Sequence, residues 1–303
     1  MIKIIGSILL IFLLNPQVGL NGDLNGYFKI TERWSQSSDT SFNIRVLSSK
    51  TLKIASWNIK DLGRSKDASE IIQIAEIIRN FDIVAIQEVV GKDPAGAQAV
   101  AKIADELNRM GSKWDYRVSD PTKSPSAYIS ERYAFLWKTS KVSLSGRAYL
   151  DAALEEVCDR EPYIGKFLPK NSSEPFYIVN FHSRKHDARP EEEIIFFKDY
   201  LTRLSSESIF ILGDFNLNEK HEVWDNLYQK GFKSALKDSK TTLKTKCKAL
   251  NYLNYAIDNI YYSSGKIEMH QSGKVDFVKD CNNLETARFI SDHLPIYIEF
   301  VIN

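Results

Sequence analysis

The sequence lacks a charge excess of either sign. Its 40 lysine and arginine residues are balanced by 39 aspartate and glutamate residues, so the formal net charge is +1. A protein that coats nucleic acid over a broad surface usually carries a clear basic excess, and the balance disfavours that class. It is compatible with an enzyme acting on phosphate compounds, because such an enzyme must release its product and a metal ion can neutralise phosphate locally.

Cysteine is scarce. The chain has Cys158, Cys247 and Cys281, and no two are spaced as C-x-x-C. This spacing disfavours a cysteine-based zinc site. Three thiols allow at most one disulfide within the chain, and the sequence does not choose among the three pairings.

The N-terminal apolar run is too short to cross a bilayer. Ile4–Leu14 contains about eleven residues, whereas a spanning helix needs about 20. Lys3 precedes this run and polar residues follow it, which is typical of a secretory signal. We therefore predict a signal peptide over residues 1–22 and a secreted or periplasmic protein. An uncleaved anchor and a buried N-terminal helix are the alternatives, and the cleavage point stays open.

Residues 23–50 are polar and serine-rich, and we interpret them as a leader. Strand and helix patterns then mix without an internal repeat, which predicts one α/β domain over residues 51–303. Strands are predicted from Leu52 and at Asp82–Ile86, Tyr133–Trp137, Val142–Tyr149, Phe176–Phe181, Ser208–Leu212, Ala256–Tyr262 and Pro295–Ile302. Of these, Tyr133–Trp137 and Val142–Tyr149 are expected to pair with each other. Helices are predicted at Ala68–Asn80, Pro94–Met110 and Arg189–Leu204.

Polar residues follow a buried strand at Gly213-Asp214-Phe215-Asn216. Asp214 and Asn216 are two residues apart, so in an extended segment they face the same way. A carboxylate beside an amide suits a water nucleophile next to a phosphate oxygen. The alternative is an ordinary turn closed by an Asx hydrogen bond.

Three further strand ends or loops carry residues of catalytic type. Glu88 ends the strand Ile83-Val-Ala-Ile-Gln87, and hard cations such as Mg²⁺ are bound by one or two carboxylates. Asp292 and His293 are adjacent and point to different sides, so one can meet a metal while the other meets substrate. Asn58 follows Trp57 and has a turn-capping role as its alternative. His293 in turn has a surface-loop alternative.

The sequence predicts two carboxylate–imidazole pairs, formed by two acids and two histidines. Glu131 and Asp258 lie in otherwise apolar strands, and buried acids need partners. His182 and His293 each stand in a context that suits such a partner, and a carboxylate neighbour raises the pKa of a histidine. The alternative is that both acids face solvent. Three other histidines have no such context and are expected on the surface: His186, His221 and His270.

Taken together in order, these motifs resemble the endonuclease/exonuclease/phosphatase superfamily. Its signature is WN, QE, a histidine after a strand, GDxN, a late aspartate and SDH. Within the superfamily the chain is most similar to the deoxyribonuclease I family. That likeness rests on the opening strand through Asn58, the Glu131-Arg-Tyr strand, Arg160-Glu-Pro and the loop from Asp238 to Cys247.

The resemblance implies a four-layer sandwich of two packed mixed β-sheets flanked by helices. It implies a secreted, metal-dependent endonuclease that cuts DNA as a monomer, with no stable protein partner. The metal would be Mg²⁺, with Mn²⁺ as a substitute, held by Glu88 with Asn58 and Asp292 close by. A structural Ca²⁺ stays open, because the loops that hold it in the family are shortened here.

The resemblance also implies roles for the other residues. Asp214 and Asn216 would orient water and phosphate, and Arg160 would clamp phosphate oxygens. His182 would pair with Glu131, and His293 with Asp258. One imidazole would activate water while the other protonates the leaving oxygen or holds the phosphate, with the assignment open.

Departures from the family leave the substrate open. Val90 stands where the family has a basic residue near the minor groove, and Ile129 replaces a family tyrosine. The alternatives are a sphingomyelinase-like or inositol phosphatase-like enzyme on the same fold, and an inactive binding or accessory subunit. DNA against RNA preference, sequence preference and biological purpose also stay open.

Overall fold

The computed structural model of the protein describes residues 51–303. The predicted signal peptide over residues 1–22 and the predicted polar leader over residues 23–50 therefore lie outside the described residues. Within residues 51–303, no helix is long and apolar enough to cross a membrane.

The described chain contains strands and helices in mixed order. The strands are β1 (Leu52–Leu62), β2 (Ile83–Val90), β3 (Trp114–Val118), β4 (Glu131–Lys138), β5 (Val142–Leu144), β6 (Tyr149–Leu150), β7 (Tyr163–Pro169), β8 (Phe176–His182), β9 (Ile209–Asp214), β10 (Phe232–Ser234), β11 (Leu243–Lys248), β12 (Asn251–Leu253), β13 (Asp258–Ser263), β14 (Ile267–Lys274) and β15 (Ile296–Ile302). The α-helices are α1 (Ala68–Ile78), α2 (Ala95–Arg109), α3 (Glu191–Ile194), α4 (Tyr200–Arg203), α5 (Asp225–Gln229) and α6 (Leu284–Ile290). The 3₁₀ turns cover Ala152–Leu154, His186–Ala188, Ile195–Asp199, Glu222–Trp224 and Cys281–Asn283.

Two large mixed sheets are packed face to face. The first has the order β14-β15-β1-β2-β4-β3, and the second has the order β10-β13-β9-β8-β7-β5, with β6 beside β7. A separate hairpin joins β11 and β12. In each large sheet one central pair is parallel, β1 with β2 and β8 with β9.

Alternation along the central strands creates the layers. Ile178 and Phe210 face the other sheet, where Phe210 and Phe300 approach to 4.5 Å between ring centroids. Their neighbours Val179 and Ile211 face the opposite way, onto the short helices that cover the second sheet. Since successive side chains of a strand point to opposite faces, each sheet is apolar on both sides. The predicted four-layer sandwich is confirmed.

The outer layer on the first sheet is formed by helices α1 and α2, whose apolar faces pack on the sheet. Helix α1 begins with a capping box, in which Asp67 accepts from the Glu70 amide and the Glu70 side chain accepts from the Asp67 amide. Its buried face, including Ile74, packs on Val84 of the sheet together with Ile103 of α2. The 3.6-residue periodicity in the sequence therefore located both helices to within two residues of their ends.

Two predictions about elements are wrong. Tyr133–Trp137 and Val142–Tyr149 do not pair, because β4 pairs with β2 and β3 while β5 pairs with β7 in the other sheet. The connecting residues turn at the edge of the sandwich, so that Trp137 and Val142 face the same inter-sheet core. Packing across the core replaces the hydrogen-bonded hairpin that proximity in sequence suggested.

The continuous helix predicted at Arg189–Leu204 is interrupted. The chain follows α3, a 3₁₀ segment at Ile195–Asp199, and α4. Ile194, Phe197 and Tyr200 are all buried in one cluster. These three are spaced by three residues, which a helix of three residues per turn keeps on one face.

The open question of the disulfide is answered by the fold. Cys247 on β11 is bonded to Cys281, with the two Cα atoms 5.7 Å apart. Cys158 is a buried free thiol, and burial away from water raises its pKa above the ordinary range.

Candidate active site

The first histidine–acid pair joins the two sheets. His182 ends β8 in the second sheet, and Glu131 begins β4 in the first. The Nδ1 atom of His182 lies 3.0 Å from Oε2 and 3.1 Å from Oε1 of Glu131. The backbone amide of His182 donates to the hydroxyl oxygen of Tyr133 at 3.1 Å, which fixes the main chain beneath the ring. Both members of the pair are buried.

The second pair is built from a strand start and a loop. Asp258 begins β13, and His293 lies between α6 and β15. The Nδ1 atom of His293 is 2.9 Å from Oδ2 of Asp258. Thr241 donates its hydroxyl to the same oxygen at 2.5 Å, and the Trp57 indole donates to the His293 carbonyl at 2.8 Å. The ring orientation is therefore determined from both the side chain and the backbone.

Both imidazoles meet at one carboxylate. Asp214 is paired across β8–β9 with His182 and across β9–β13 with Asp258, so three site residues form one row on the second sheet. The Nε2 atoms of His182 and His293 lie 3.5 Å and 3.7 Å from Oδ2 of Asp214. The site thus places two carboxylate-backed rings around a buried acid that is 2% exposed.

The electrostatics favour charged histidines. Burial opposes charge on His293, but Asp258 and Asp214 outweigh it and raise its pKa to about 10. At His182, burial and the Arg160 guanidinium both oppose charge, and Glu131 and Asp214 still raise the pKa above its ordinary value. Burial and the nearby Asp258 carboxylate raise the pKa of Asp214, although both imidazoles counteract them.

The backbone brings Asp214 close to its neighbours through Gly213. Gly213 has φ of +144°, and a Cβ there would lie 1.8 Å from the Phe181 carbonyl oxygen. Only glycine permits this approach without displacing β8. Asn216 follows in a left-handed conformation, with φ of 51°. Its amide nitrogen donates to Oδ1 of Asp214 at 3.0 Å, which is the Asx contact that was the alternative interpretation of this motif.

An oxygen-rich corner adjoins this row. Nδ2 of Asn58 donates to Glu88 at 2.9 Å and to Asp214 at 3.1 Å. The Asn58 oxygen, Oδ1, is buried and has no hydrogen-bond partner. Glu88 is held with φ of +60°, an uncommon conformation for a residue with a side chain. An unpartnered amide oxygen beside a carboxylate fits a hard cation, which takes oxygen ligands.

The third predicted ligand is engaged elsewhere. The Asp292 carboxylate lies 3.8 Å from the Lys60 ammonium and 3.6 Å from the Arg288 guanidinium. It is adjacent to the corner through Ser291, whose hydroxyl donates to the Asn58 carbonyl at 2.7 Å. The role of Asp292 at a metal therefore stays a prediction, and two cations already balance its charge.

A second group of potential ligand atoms occurs in the row itself. Asp214, Asp258 and His293 offer atoms within 4.8 Å of one another, and all three residues are buried. In this group the Nδ1 atom of His293 is already held by Asp258, whereas the Asn58 oxygen in the corner has no partner. The donor chemistry therefore fits the corner of Asn58 and Glu88 better than this group.

Arg160 has a different environment from the one predicted. It is buried, and its Nε donates to the His182 carbonyl at 3.0 Å while its Nη2 donates to the Ser183 carbonyl. Its Nε also lies 4.0 Å from Glu131. The predicted phosphate clamp stays a prediction, but these contacts give Arg160 a positioning role beneath His182.

Sequence motifs missed the buried link behind the site. Asn180 stands two residues before His182, and its Oδ1 accepts from Gln87 Nε2 at 2.6 Å. Gln87 also donates to the Ser56 hydroxyl at 3.1 Å, so a polar bridge joins the two sheets. The available signal was an asparagine inside the apolar run Tyr177-Ile-Val-Asn-Phe181, since a buried amide requires partners.

The remaining histidines lie away from the row. His186 and His270 are exposed, as expected. His221 is half-buried, and its Nδ1 accepts from the Val223 amide at 3.2 Å, which caps a 3₁₀ turn. The surface interpretation of His221 omitted this local capping role.

Comparisons with known proteins agree with this architecture. A family model described as "Endonuclease/Exonuclease/phosphatase family" matches residues 41–293. The chain is 29% identical to Deoxyribonuclease-1 of Bos taurus, covering 82% of this chain and 92% of the relative. It is 28% identical to Deoxyribonuclease-1-like 1 of Sus scrofa, covering 82% of this chain and 81% of the relative.

Solved structures show the same fold. An endonuclease/exonuclease/phosphatase from Bacteroides vulgatus superposes with a TM-score of 0.62, covering 84% of this chain and 99% of that one. The sequence identity is 14%, so this likeness concerns the fold alone.

Proposed function

This chain belongs to the endonuclease/exonuclease/phosphatase family, and we propose that it is a metal-dependent endonuclease that hydrolyses phosphodiester bonds in DNA. Two lines support the substrate. The curated relatives that it matches over most of their length are deoxyribonucleases. The site also contains the proton-carrying groups that hydrolysis of a phosphodiester requires.

One observation carries the proposal. The two Nε2 atoms converge on Asp214, while each Nδ1 is held by its own carboxylate. Hydrolysis of a phosphodiester needs one group to take a proton from water and another to protonate the leaving oxygen. Two oriented imidazoles around one acid supply both groups, and general acid–base help of this kind contributes about 10²–10⁴-fold.

The residues of the row divide the remaining work. Asp214, with its raised proton affinity, is placed to accept a hydrogen bond from the attacking water. Asn216 lies next to it, with its side-chain Nδ2 3.5 Å from the Ser183 carbonyl, and would donate to a phosphate oxygen when substrate binds. Glu131 and Asp258 hold the rings, so that each Nε2 rather than Nδ1 faces the substrate.

The metal belongs to the corner beside the row. Glu88 and the Asn58 oxygen would hold Mg²⁺ or Mn²⁺, with Asp292 nearby as a further carboxylate. The bound ion would stabilise negative charge on the scissile phosphate. Hydrogen bonds from Asn58 Nδ2 at 2.9 Å and from the Asp61 amide at 3.2 Å hold the direction of the Glu88 carboxylate without substrate.

Plasmid nicking tests this function directly. The purified protein is expected to convert supercoiled DNA to open circles with Mg²⁺ or Mn²⁺, and excess chelator should abolish the reaction. Parallel assays on RNA, sphingomyelin liposomes and inositol phosphates identify the substrate class. Full cleavage in chelator would contradict the metal requirement, and turnover of a non-nucleic substrate alone would contradict the DNA assignment.

We also propose that residues 1–22 are removed on export and that residues 23–50 precede the enzyme domain. The support is the short apolar run Ile4–Leu14 after Lys3. Mass spectrometry of protein recovered outside the cytoplasm should show a mature chain without this run. An intact Met1 terminus on that material would contradict cleavage.

A further inference from the structure

The β11–β12 hairpin is a charged segment of one sign beside the active site. Residues 240–257 contain four lysines and no aspartate or glutamate. The whole chain, by contrast, balances 40 basic residues against 39 acidic ones. We call residues 240–253 the lysine hairpin. Its lysines are Lys240, Lys244, Lys246 and Lys248.

The inward side of the lysine hairpin is fixed to the domain. Leu243 and Tyr252 are buried in a cluster with Leu284 and Ala287 of α6. The Cys247–Cys281 disulfide ties β11 to the turn that precedes α6. With this side packed inward, Lys246 and Lys248 are exposed and Lys244 is half-buried.

The lysine hairpin is also bonded to the loop that carries His293. The Leu243 amide donates to the Asp292 carbonyl at 2.7 Å, and Leu294 donates to Thr241 at 2.7 Å. Arg288 donates to the Leu243 carbonyl at 3.1 Å while it pairs with the Asp292 carboxylate. These bonds attach the base of the lysine hairpin to the loop that carries His293.

A groove separates the hairpin from the site. Its volume is about 360 Å³, and its lining includes Lys244, Asn254, Tyr255, Arg288 and His293. Tyr255 is 60% exposed, so an aromatic ring stands free at the margin of the groove. The groove therefore joins His293 to Lys244 on the lysine hairpin, past polar and aromatic side chains.

We propose that the lysine hairpin binds backbone phosphates of duplex DNA on the His293 side of the scissile bond. This inference rests on the proposed function and concerns the binding of DNA rather than the hydrolytic step. Lysine ammonium groups are point charges that contact phosphates without reading bases. A hairpin held by a disulfide and backbone bonds presents them without a backbone ordering cost at binding. A local basic segment also explains how a chain of net charge +1 engages a polyanion.

The test compares two triple variants that change the net charge equally. The test variant is Lys244→Ala/Lys246→Ala/Lys248→Ala. The matched control is Lys230→Ala/Lys233→Ala/Lys266→Ala. The control lysines are exposed and cluster near the end of β13 that is opposite to Asp258.

Binding is measured by fluorescence anisotropy of a short labelled duplex in chelator, over about 50 to 200 mM salt. Each lost phosphate contact should lower the slope of log affinity against log salt by about 0.9. We expect the test variant to lose about 2 to 3 from the slope, and the control to keep the wild-type slope. Plasmid KM should rise on the order of 10-fold in the test variant, with kcat unchanged.

Hydrolysis of bis(p-nitrophenyl) phosphate monitors the integrity of the site, because this substrate has no neighbouring backbone phosphates for the hairpin lysines to bind. Equal hydrolysis by all three proteins is expected. The inference is overturned if the salt slope of the test variant is unchanged, or if the control loses as much slope as the test variant. DNA cleavage by the wild type would still support the proposed function in that case. If the test variant loses slope but the wild type cuts no DNA, the result would support phosphate binding by the lysine hairpin and overturn the nuclease assignment.

Discussion

The two histidine–acid pairs look alike in geometry and differ in charge environment. His182 and His293 each bind a carboxylate through Nδ1 and approach Asp214 through Nε2. Arg160, however, lies beside the first pair and opposes charge on His182. The acids around His293, which include Asp292, favour its charged form. Similar geometry therefore comes with different charge environments, and we expect His182 to be the ring that is neutral more readily and accepts the proton of the attacking water.

Removing either ring should have the largest effect. His182→Ala and His293→Ala are each expected to lower kcat on plasmid DNA by about 10²–10⁴-fold, since each removes one proton carrier. Steady-state nicking rates measure the loss. The controls His186→Ala and His270→Ala should stay close to wild type. A wild-type rate for His182→Ala would refute its catalytic role.

Removing the acid behind each ring should have a smaller effect. Glu131→Gln and Asp258→Asn keep the shape but lose the charge, and we expect losses on the order of 10-fold to 100-fold. Far-UV circular dichroism should show a largely unchanged fold.

A double-mutant cycle then sharpens the comparison. Combining Glu131→Gln with His182→Ala should add little beyond the histidine variant, because the two residues act as a unit. The same holds for Asp258→Asn with His293→Ala. Full additivity of turnover within both pairs would refute the pairing as a functional unit.

Changing Arg160 should make the two pairs more alike. Arg160→Met removes the cation that opposes protonation of His182, so the pKa of His182 should rise further. A step that needs neutral His182 would then require a higher pH, so the acidic limb of the pH–rate profile should shift to higher pH. Unfolding in urea should show a stability loss of about 1–3 kcal/mol, since two backbone carbonyls lose a buried donor.

Arg160→Lys is the matched control, because it keeps the positive charge while losing the two-pronged geometry. Its acidic limb should stay closer to that of the wild type than the limb of Arg160→Met. If both variants leave the limb in place, Arg160 does not set the proton affinity of His182.

The smallest expected effect concerns the second pair. Thr241→Val removes the hydroxyl that donates to Asp258 at 2.5 Å, with little change in volume. Asp258 keeps its contact with His293, so we expect a loss of turnover of a few-fold and of stability of about 1 kcal/mol. Thr245→Val, at an exposed position of β11, is the control. An effect as large as that of Asp258→Asn would mean that Thr241 does more than hold the acid.

Much of the site could be predicted from local sequence. Asp214, Glu88 and His182 each lie at or next to the end of an apolar run, and strand ends on one edge of a sheet meet in space. The alternation of Ile178 with Val179 and the 3.6-residue spacing in α1 are likewise local patterns. They can be read from the sequence without knowledge of the tertiary contacts. For this reason the α/β class, most element positions and the partners of both histidines followed from residue order and family resemblance.

What only the tertiary structure decided depends on residues far apart in the chain. The choice of Cys281 for Cys247, the placement of β4 and β5 in different sheets, and the turn of Arg160 toward the His182 carbonyl are all set by packing. A buried guanidinium satisfies whichever acceptors surround it, and a strand joins the sheet where its apolar face is covered. Neither outcome is encoded by a short motif, because the burial free energy that selects it belongs to the whole assembled core.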